Sequence, residues 1–203
     1  SLLSESNILM DSIFEDNNYV LRGTTNGCTS EIVVPVQKLN LPNVEITATD
    51  DTICYGETTI LSGTQGLAFY IWSSGSSKNQ ITVKPNSTTW YYLTGKNVNL
   101  CEAKDSIEIY VNPKPNVYIS GDMEACENSP AKITAKGAHI YKWDYAGDQT
   151  GSTDSIVQPT ISQTETFTVT GTDTITLCSN TASWQVRKNN IPTITLTAPD
   201  KVC

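Results

Sequence analysis

Residues 91–126 read "YYLTGKNVNLCEAKDSIEIYVNPKPNVYISGDMEAC", and the order of features in this stretch decides the fold. An aromatic strand start leads to Gly95, then Cys101, then the alternating run Ile107–Ile109–Val111. Pro115 follows, then a second alternating run that ends at Cys126. The same order recurs at 167–203, "FTVTGTDTITLCSNTASWQVRKNNIPTITLTAPDKVC", and at 19–54, "YVLRGTTNGCTSEIVVPVQKLNLPNVEITATDDTIC". Gly23, Gly95 and Gly171 correspond. So do Cys28, Cys101 and Cys178, then Pro42, Pro115 and Pro192, then Cys54, Cys126 and Cys203. A period of roughly 72 to 77 residues is the size of a small β-sandwich and too long for one turn of a solenoid.

Between the repeated blocks lie two matching middles. Each has a short strand, a turn, and a strand that ends in Trp72 or Trp143. A polar turn follows, then "ITVKP" or "SIVQP", then a Thr-rich strand. Period-2 alternation is clear in Ile107–Ile109–Val111 and in Phe167–Val169, where Thr or charged residues take the other face. Short strands at regular spacing predict an all-β fold of tandem sandwiches. The expected layout is a partial repeat over 1–40, whole repeats over 41–114 and 115–191, and the first strand of another over 192–203. The linkers "NPKPN" and "NNIP" are short, and Pro fixes φ at each junction. An elongated rod is expected.

Composition agrees with that reading. Only 17% of the 203 residues are charged, and Ser and Thr supply about a quarter of the chain. Strong helix formers never cluster with a 3.6-residue period. A net charge of -8 argues against nucleic acid, whose phosphates it would repel. No run approaches the ~20 apolar residues that span a membrane. The chain opens inside a strand-like pattern and stops at Cys203, which reads as a segment of something longer. Six cysteines without clustered His favour disulfides and an oxidising compartment.

The shared pattern rests on Pro42, Cys54, Gly56, Trp72, Tyr92, Gly95 and Cys101, and again on Pro115, Cys126, Trp143, Val169, Gly171 and Cys178. It resembles the tandem Ig-like or PKD-like repeats of giant Bacteroidota cell-surface proteins, among them gliding-motility adhesins exported by the type IX system. Asn128 departs from the pattern where Gly56 would repeat, and "WDYAG" only faintly matches the PKD "W-D-F-G-D". The resemblance implies a structural, adhesive segment of a filament on the bacterial surface. It also bears on a tripeptide. Asp-Ser/Thr-Ile occurs at Asp11, Asp51, Asp105, Asp154 and Asp173, where composition predicts roughly a quarter of one occurrence. It resembles the Bacteroidota O-glycosylation signal, which makes Ser12, Thr52, Ser106, Ser155 and Thr174 candidate O-glycan sites. The alternative is turn chemistry: Asp suits a turn and Ile begins a strand. Asn86-Ser87-Thr88 also fits an N-glycan acceptor.

Topology biases the cysteines without fixing them. In such a sandwich Cys54 falls at the bottom and Cys101 at the top, and ten strand residues cover about 33 Å, against ~7 Å for bonded Cα atoms. An inter-domain Cys54–Cys178 staple is therefore one expectation. The alternative is Cys54–Cys101 with Cys126–Cys178, one bond inside each domain. Sequential pairs such as Cys101–Cys126 are a third.

Trp72 and Trp143 are expected to fill the cores against Tyr92 and Phe167. Trp90 and Trp184 are less symmetric, and Trp90 is the better candidate for a contact. His139 is alone, without the further groups that hydrolysis or metal binding needs. Asp50–Asp51 and Asp144 with Asp148 are carboxylates to weigh for structural calcium, but no dense Asp-x-Asp-x-Asp loop appears. No cofactor, metal or catalytic residue is expected. The expected partners are flanking repeats, covalent O-glycans and surface glycans or proteins. The competing function is a glycan- or protein-binding module with loops near Trp90 or Tyr145.

Overall fold

The computed structural model describes residues 13–145 and 153–197. Every regular element in them is a β-strand. The strands are β1 (Asn17–Thr25), β2 (Cys28–Val36), β3 (Ile46–Ala48), β4 (Thr52–Cys54), β5 (Thr59–Gly63), β6 (Phe69–Trp72), β7 (Gln80–Val83), β8 (Thr89–Lys96) and β9 (Glu102–Asn112). There follow β10 (Tyr118–Gly121), β11 (Glu124–Cys126), β12 (Ser129–Pro130), β13 (Ile133–Lys136), β14 (Ile140–Asp144), β15 (Ile156–Val157), β16 (Thr160–Ile161), β17 (Glu165–Thr172) and β18 (Ser179–Asn189). Residues 192–197, expected to begin a further strand, carry none.

Strands β3–β9 form a three-stranded sheet, order β3-β5-β7, and a four-stranded sheet, order β4-β9-β8-β6. Strands β10–β18 repeat the plan as β10-β13-β15 and β11-β18-β17-β14, with a short β12-β16 pair. In each set the opening strand breaks in two. Its first part pairs antiparallel in one sheet, Ile46 opposite Gly63 and Tyr118 opposite Lys136. Its second part crosses over and pairs parallel with the last strand, Cys54 opposite Asn112 and Cys126 opposite Asn189. By proximity the chain divides into two compact units. One runs to Thr49 and includes Ile60–Ile81 and Trp90–Ile107; the other takes Asp50–Thr59, Thr82–Thr89 and the described residues from Glu108 onward.

Alternation explains the core of the second set. Ile119, Ile133, Ala135 and Val157 from one sheet meet Trp143, Phe167, Val169 and Val186 from the other. Trp143 keeps its indole N–H satisfied by donating to the Asp154 carbonyl at 2.8 Å, and the buried Trp72 does the same to the Lys78 carbonyl at 2.8 Å. A buried indole without such a partner would pay its full desolvation. Trp184, taken from sequence as asymmetric, packs against the same core and donates to the Asp122 carbonyl.

One core assignment needs correction. Tyr92 is 54% exposed and does not face the core. Gly95 and Gly171 are equivalent, so counting back two and four residues matches Leu93 with Val169 and Tyr91 with Phe167. The burial of β8 runs in that phase: Leu93 and Gly95 are buried, while Trp90 and Tyr92 are exposed. A slip of one residue turns a side chain to the other face of a strand.

Strands β1 and β2 form a separate hairpin in exact register from Asn17–Val36 to Thr25–Cys28, closed by Asn26–Gly27 with both residues at positive φ. Asn-Gly suits such a turn because neither strongly resists that backbone. Its apolar residues Leu21, Ile32 and Val34 remain exposed.

Candidate functional site

Four cysteines occupy two structural positions. Cys54 and Cys126 end the short parallel strands β4 and β11. After each, the next backbone N–H donates to the last residue of the neighbouring long strand: Tyr55 to Asn112 and Glu127 to Asn189, both at 2.8 Å. Two residues on, the chain turns through the left-handed region at Gly56 (φ 85°) and Asn128 (φ 60°). Asn is the residue other than Gly that visits this region most readily, so the departure at Asn128 preserves the turn.

Cys101 and Cys178 each stand one residue before the last long strand, β9 or β18. Each follows a leucine at positive φ, Leu100 (65°) and Leu177 (60°). In each turn an Asn or Asp side chain accepts from two backbone N–H groups. The Asn97 Oδ1 accepts from the backbone N–H of Asn99 and Cys101, both at 3.0 Å. The Asp173 Oδ1 accepts from Ile175 at 2.8 Å and Thr176 at 3.0 Å. Donation by the Thr176 and Ile175 amides holds the Asp173 carboxyl below its usual value.

A disulfide joins Cys54 to Cys178, with Cα atoms 5.6 Å apart and a sequence separation of 124. It links one cysteine of each positional class. The pairs Cys54–Cys101 and Cys126–Cys178 are not formed, nor is Cys101–Cys126; Cys28, Cys101 and Cys126 are free thiols. The within-domain pairing fails because the two classes lie at different ends of the long strand: Cys54 sits beside Asn112, the last residue of β9, and Cys101 precedes Glu102, its first. Cys203 lies outside the described residues.

The Asp-Ser/Thr-Ile tripeptides have no common conformation. Thr52, Ser106, Ser155 and Thr174 are all exposed; Ser12 lies outside the described residues. The aspartates do different local work. Asp105 accepts from the Ile46 N–H at 2.7 Å, the Asp51 carbonyl accepts from the Tyr110 N–H at 2.8 Å, and Asp173 holds the turn just described. The third residues differ as well, from buried Ile53 to Ile175 at 84% exposed.

Sequence reading placed a contact surface near Trp90 or Tyr145; Tyr145 packs against core Phe167 with ring centroids 5.0 Å apart, and the surface at Trp90 is wider than that one residue. On the outward side of β6 and β8 stand Phe69, Ile71, Trp90 and Tyr92, each about half exposed. Ile71 lies opposite Thr94, and Phe69 opposite Lys96. The signal was present in "FYIW" and "WYY": consecutive large apolar residues in a strand must place some of them outward. The matching face of β14 and β17 presents Ile140, Lys142, Thr166 and Thr168. A separate open depression of about 630 Å³ is lined by Tyr55, Asn86, Ser87, Thr88, Val111, Pro113 and Lys114.

Among the described residues no group of three or more His, Cys, Asp or Glu is placed to hold a metal ion. Asp50 and Asp51 lie between β3 and β4, where the Thr59 hydroxyl donates to the Asp50 carbonyl at 2.8 Å. Asp144 is exposed at the end of β14, and Asp148 lies outside the described residues. The His139 Nδ1 accepts from the Thr174 N–H at 3.2 Å and lies 3.7 Å from Asp173. No helix is long and apolar enough to cross a membrane among the described residues.

No protein family and no curated protein matches the chain. Among solved structures it is similar to the fibronectin(III)-like modules of Clostridium thermocellum CbhA, at 10% identity and a TM-score of 0.37 over 76% of this chain and 100% of that one. It is similar to the N-terminal eight Ig domains of Down Syndrome Cell Adhesion Molecule, at 11% identity and 0.40 over 91% of this chain and 28% of that one. It is also similar to the insect immune protein hemolin, at 13% identity and 0.33 over 92% of this chain and 57% of that one. At these identities and scores, none bears on what this chain binds or does.

Proposed function

We propose that this chain is a non-enzymatic stalk segment of a long extracellular adhesin, built from tandem Ig-like repeats over 41–114 and 115–191. The observation that carries the reading is the Cys54–Cys178 bond, which joins the end of β4 in the first set of strands to the turn before β18 in the second. A covalent link between repeats resists pulling, because it does not yield to shear as packing does. The resemblance to Bacteroidota gliding-motility repeats supports placement on the bacterial surface after type IX export. It also supports O-glycans on Ser12, Thr52, Ser106, Ser155 and Thr174. Residues 1–40 then supply the last two strands of a preceding repeat.

Pulling single molecules from both ends tests the reading. Oxidised protein should withhold the segment between Cys54 and Cys178, and reductant should release roughly 400 Å more, at about 3.4 Å per residue over 124 residues. Equal lengths with and without reductant would end it. Intact mass of the native protein checks the glycans; an unmodified mass refutes them.

The second reading is a binding module, favoured by the outward Phe69, Ile71, Trp90 and Tyr92. Aromatic faces stack on sugars and anchor protein contacts. Specific retention on a glycan array or in a pull-down, lost in the W90A/Y92A variant, would support it.

A further inference from the structure

Cys101 and Cys126 repeat the two halves of the bond found at Cys54–Cys178, and neither half has a partner in this structure. Cys126 has the position of Cys54: the end of a short parallel strand, beside the last residue of the long strand, two residues before a left-handed turn. Cys101 has the position of Cys178: directly after a leucine at positive φ, in a turn held by an Asx side chain. The bond already present therefore shows what a cysteine in each position takes: one in the other position, on a different repeat.

We propose that Cys126 and Cys101 are each covalent attachment sites for a further copy of this repeat. Cys126 takes the turn-position cysteine of a following copy, and Cys101 takes the strand-end cysteine of a preceding one. The proposal rests on the stalk reading and extends it from a single staple to a ladder of bonds, each spanning one junction. Each bond forms by two exchanges with a disulfide oxidant, such as glutathione disulfide or a disulfide oxidoreductase. The Cys126 thiolate attacks the oxidant, releases one thiol and holds a mixed disulfide. The turn-position thiolate of the incoming repeat then attacks the Cys126 sulfur and displaces the second thiol. Two protein thiols have lost two protons and two electrons, and the oxidant's disulfide has become two thiols. Cys126 is exposed, so the first attack meets no steric barrier.

The test uses the native full-length protein, purified without reductant and with free thiols blocked by N-ethylmaleimide. It is digested without reduction and mapped by mass spectrometry. The expected result is a Cys126 peptide joined to a turn-position peptide of another repeat. A second measurement uses Cys126→Ser in the same protein, where one further N-ethylmaleimide adduct per chain should appear on the abandoned partner. Recovery of Cys126 as its own N-ethylmaleimide adduct, or bonded to Cys101 of this segment, overturns the ladder. Either outcome leaves the stalk reading standing if reductant still lengthens the pulled molecule through Cys54–Cys178. Loss of that response would sink the stalk reading by itself.

Discussion

A methyl group on Gly171 would lie 2.6 Å from Val117 Cγ2 and 2.7 Å from Ala138 Cβ. On Gly95 it would lie 2.7 Å from Val44 Cγ2. Val44 and Val117 are buried just before the first strand of their sheets, so each glycine admits the same neighbour. Gly171→Ala should destabilise by about 1–3 kcal/mol through overpacking, whereas Gly23→Ala in the isolated chain, with open space ahead of it, should stay within about 0.5 kcal/mol. Urea unfolding of the two variants measures both. Asp173 belongs to this scale too. Its carboxyl is held below the usual 3.8 by the Thr176 and Ile175 amides. The charged form is favoured only when folded, so its contribution is complete above that value and fades as pH falls below it. Amide NMR should show Ile175 and Thr176 losing their turn shifts in that acid range, and Asp173→Asn should abolish the dependence.

At the scale of the element, β8 shows how little a strand pattern fixes when both faces are apolar. "TWYYLTG" offers aromatics in either phase. Packing against the opposite sheet selects Tyr91 and Leu93 as inward and leaves Trp90 and Tyr92 outside. Burial also raises the Tyr91 hydroxyl pKa. Strand β17 had no such ambiguity, because Thr166, Thr168 and Thr170 take its second face. Tyr92→Ala should leave stability within about 0.5 kcal/mol, while Phe167→Ala should cost about 3–5 kcal/mol. Thermal melts of the two variants decide it, and equal losses would contradict the register.

For the whole molecule the disulfide dominates, since it ties together residues 124 positions apart in sequence. Cys178→Ser should cost about 2–4 kcal/mol, the usual range for a native disulfide. Cys126→Ser in the isolated chain should cost almost nothing, because that thiol is exposed and unbonded. Calorimetry with and without reductant provides the comparison: reductant should lower the wild-type transition to that of Cys178→Ser and leave the variant unmoved.

Much of this protein was written locally. Alternation with period two, Gly and Pro at the turns, and one order of features repeated across the chain suffice for paired sheets, since a strand's amphipathic face must be buried whatever surrounds it. The burial of Trp72, Trp143 and Phe167 follows from the same rule. Tertiary structure decided the rest. Which tyrosine of β8 turns inward depends on what the opposite sheet offers. Which cysteine meets Cys54 depends on where a chain 124 residues away returns in space. Neither is carried by neighbouring residues, because contact across a long loop is a property of the assembled fold.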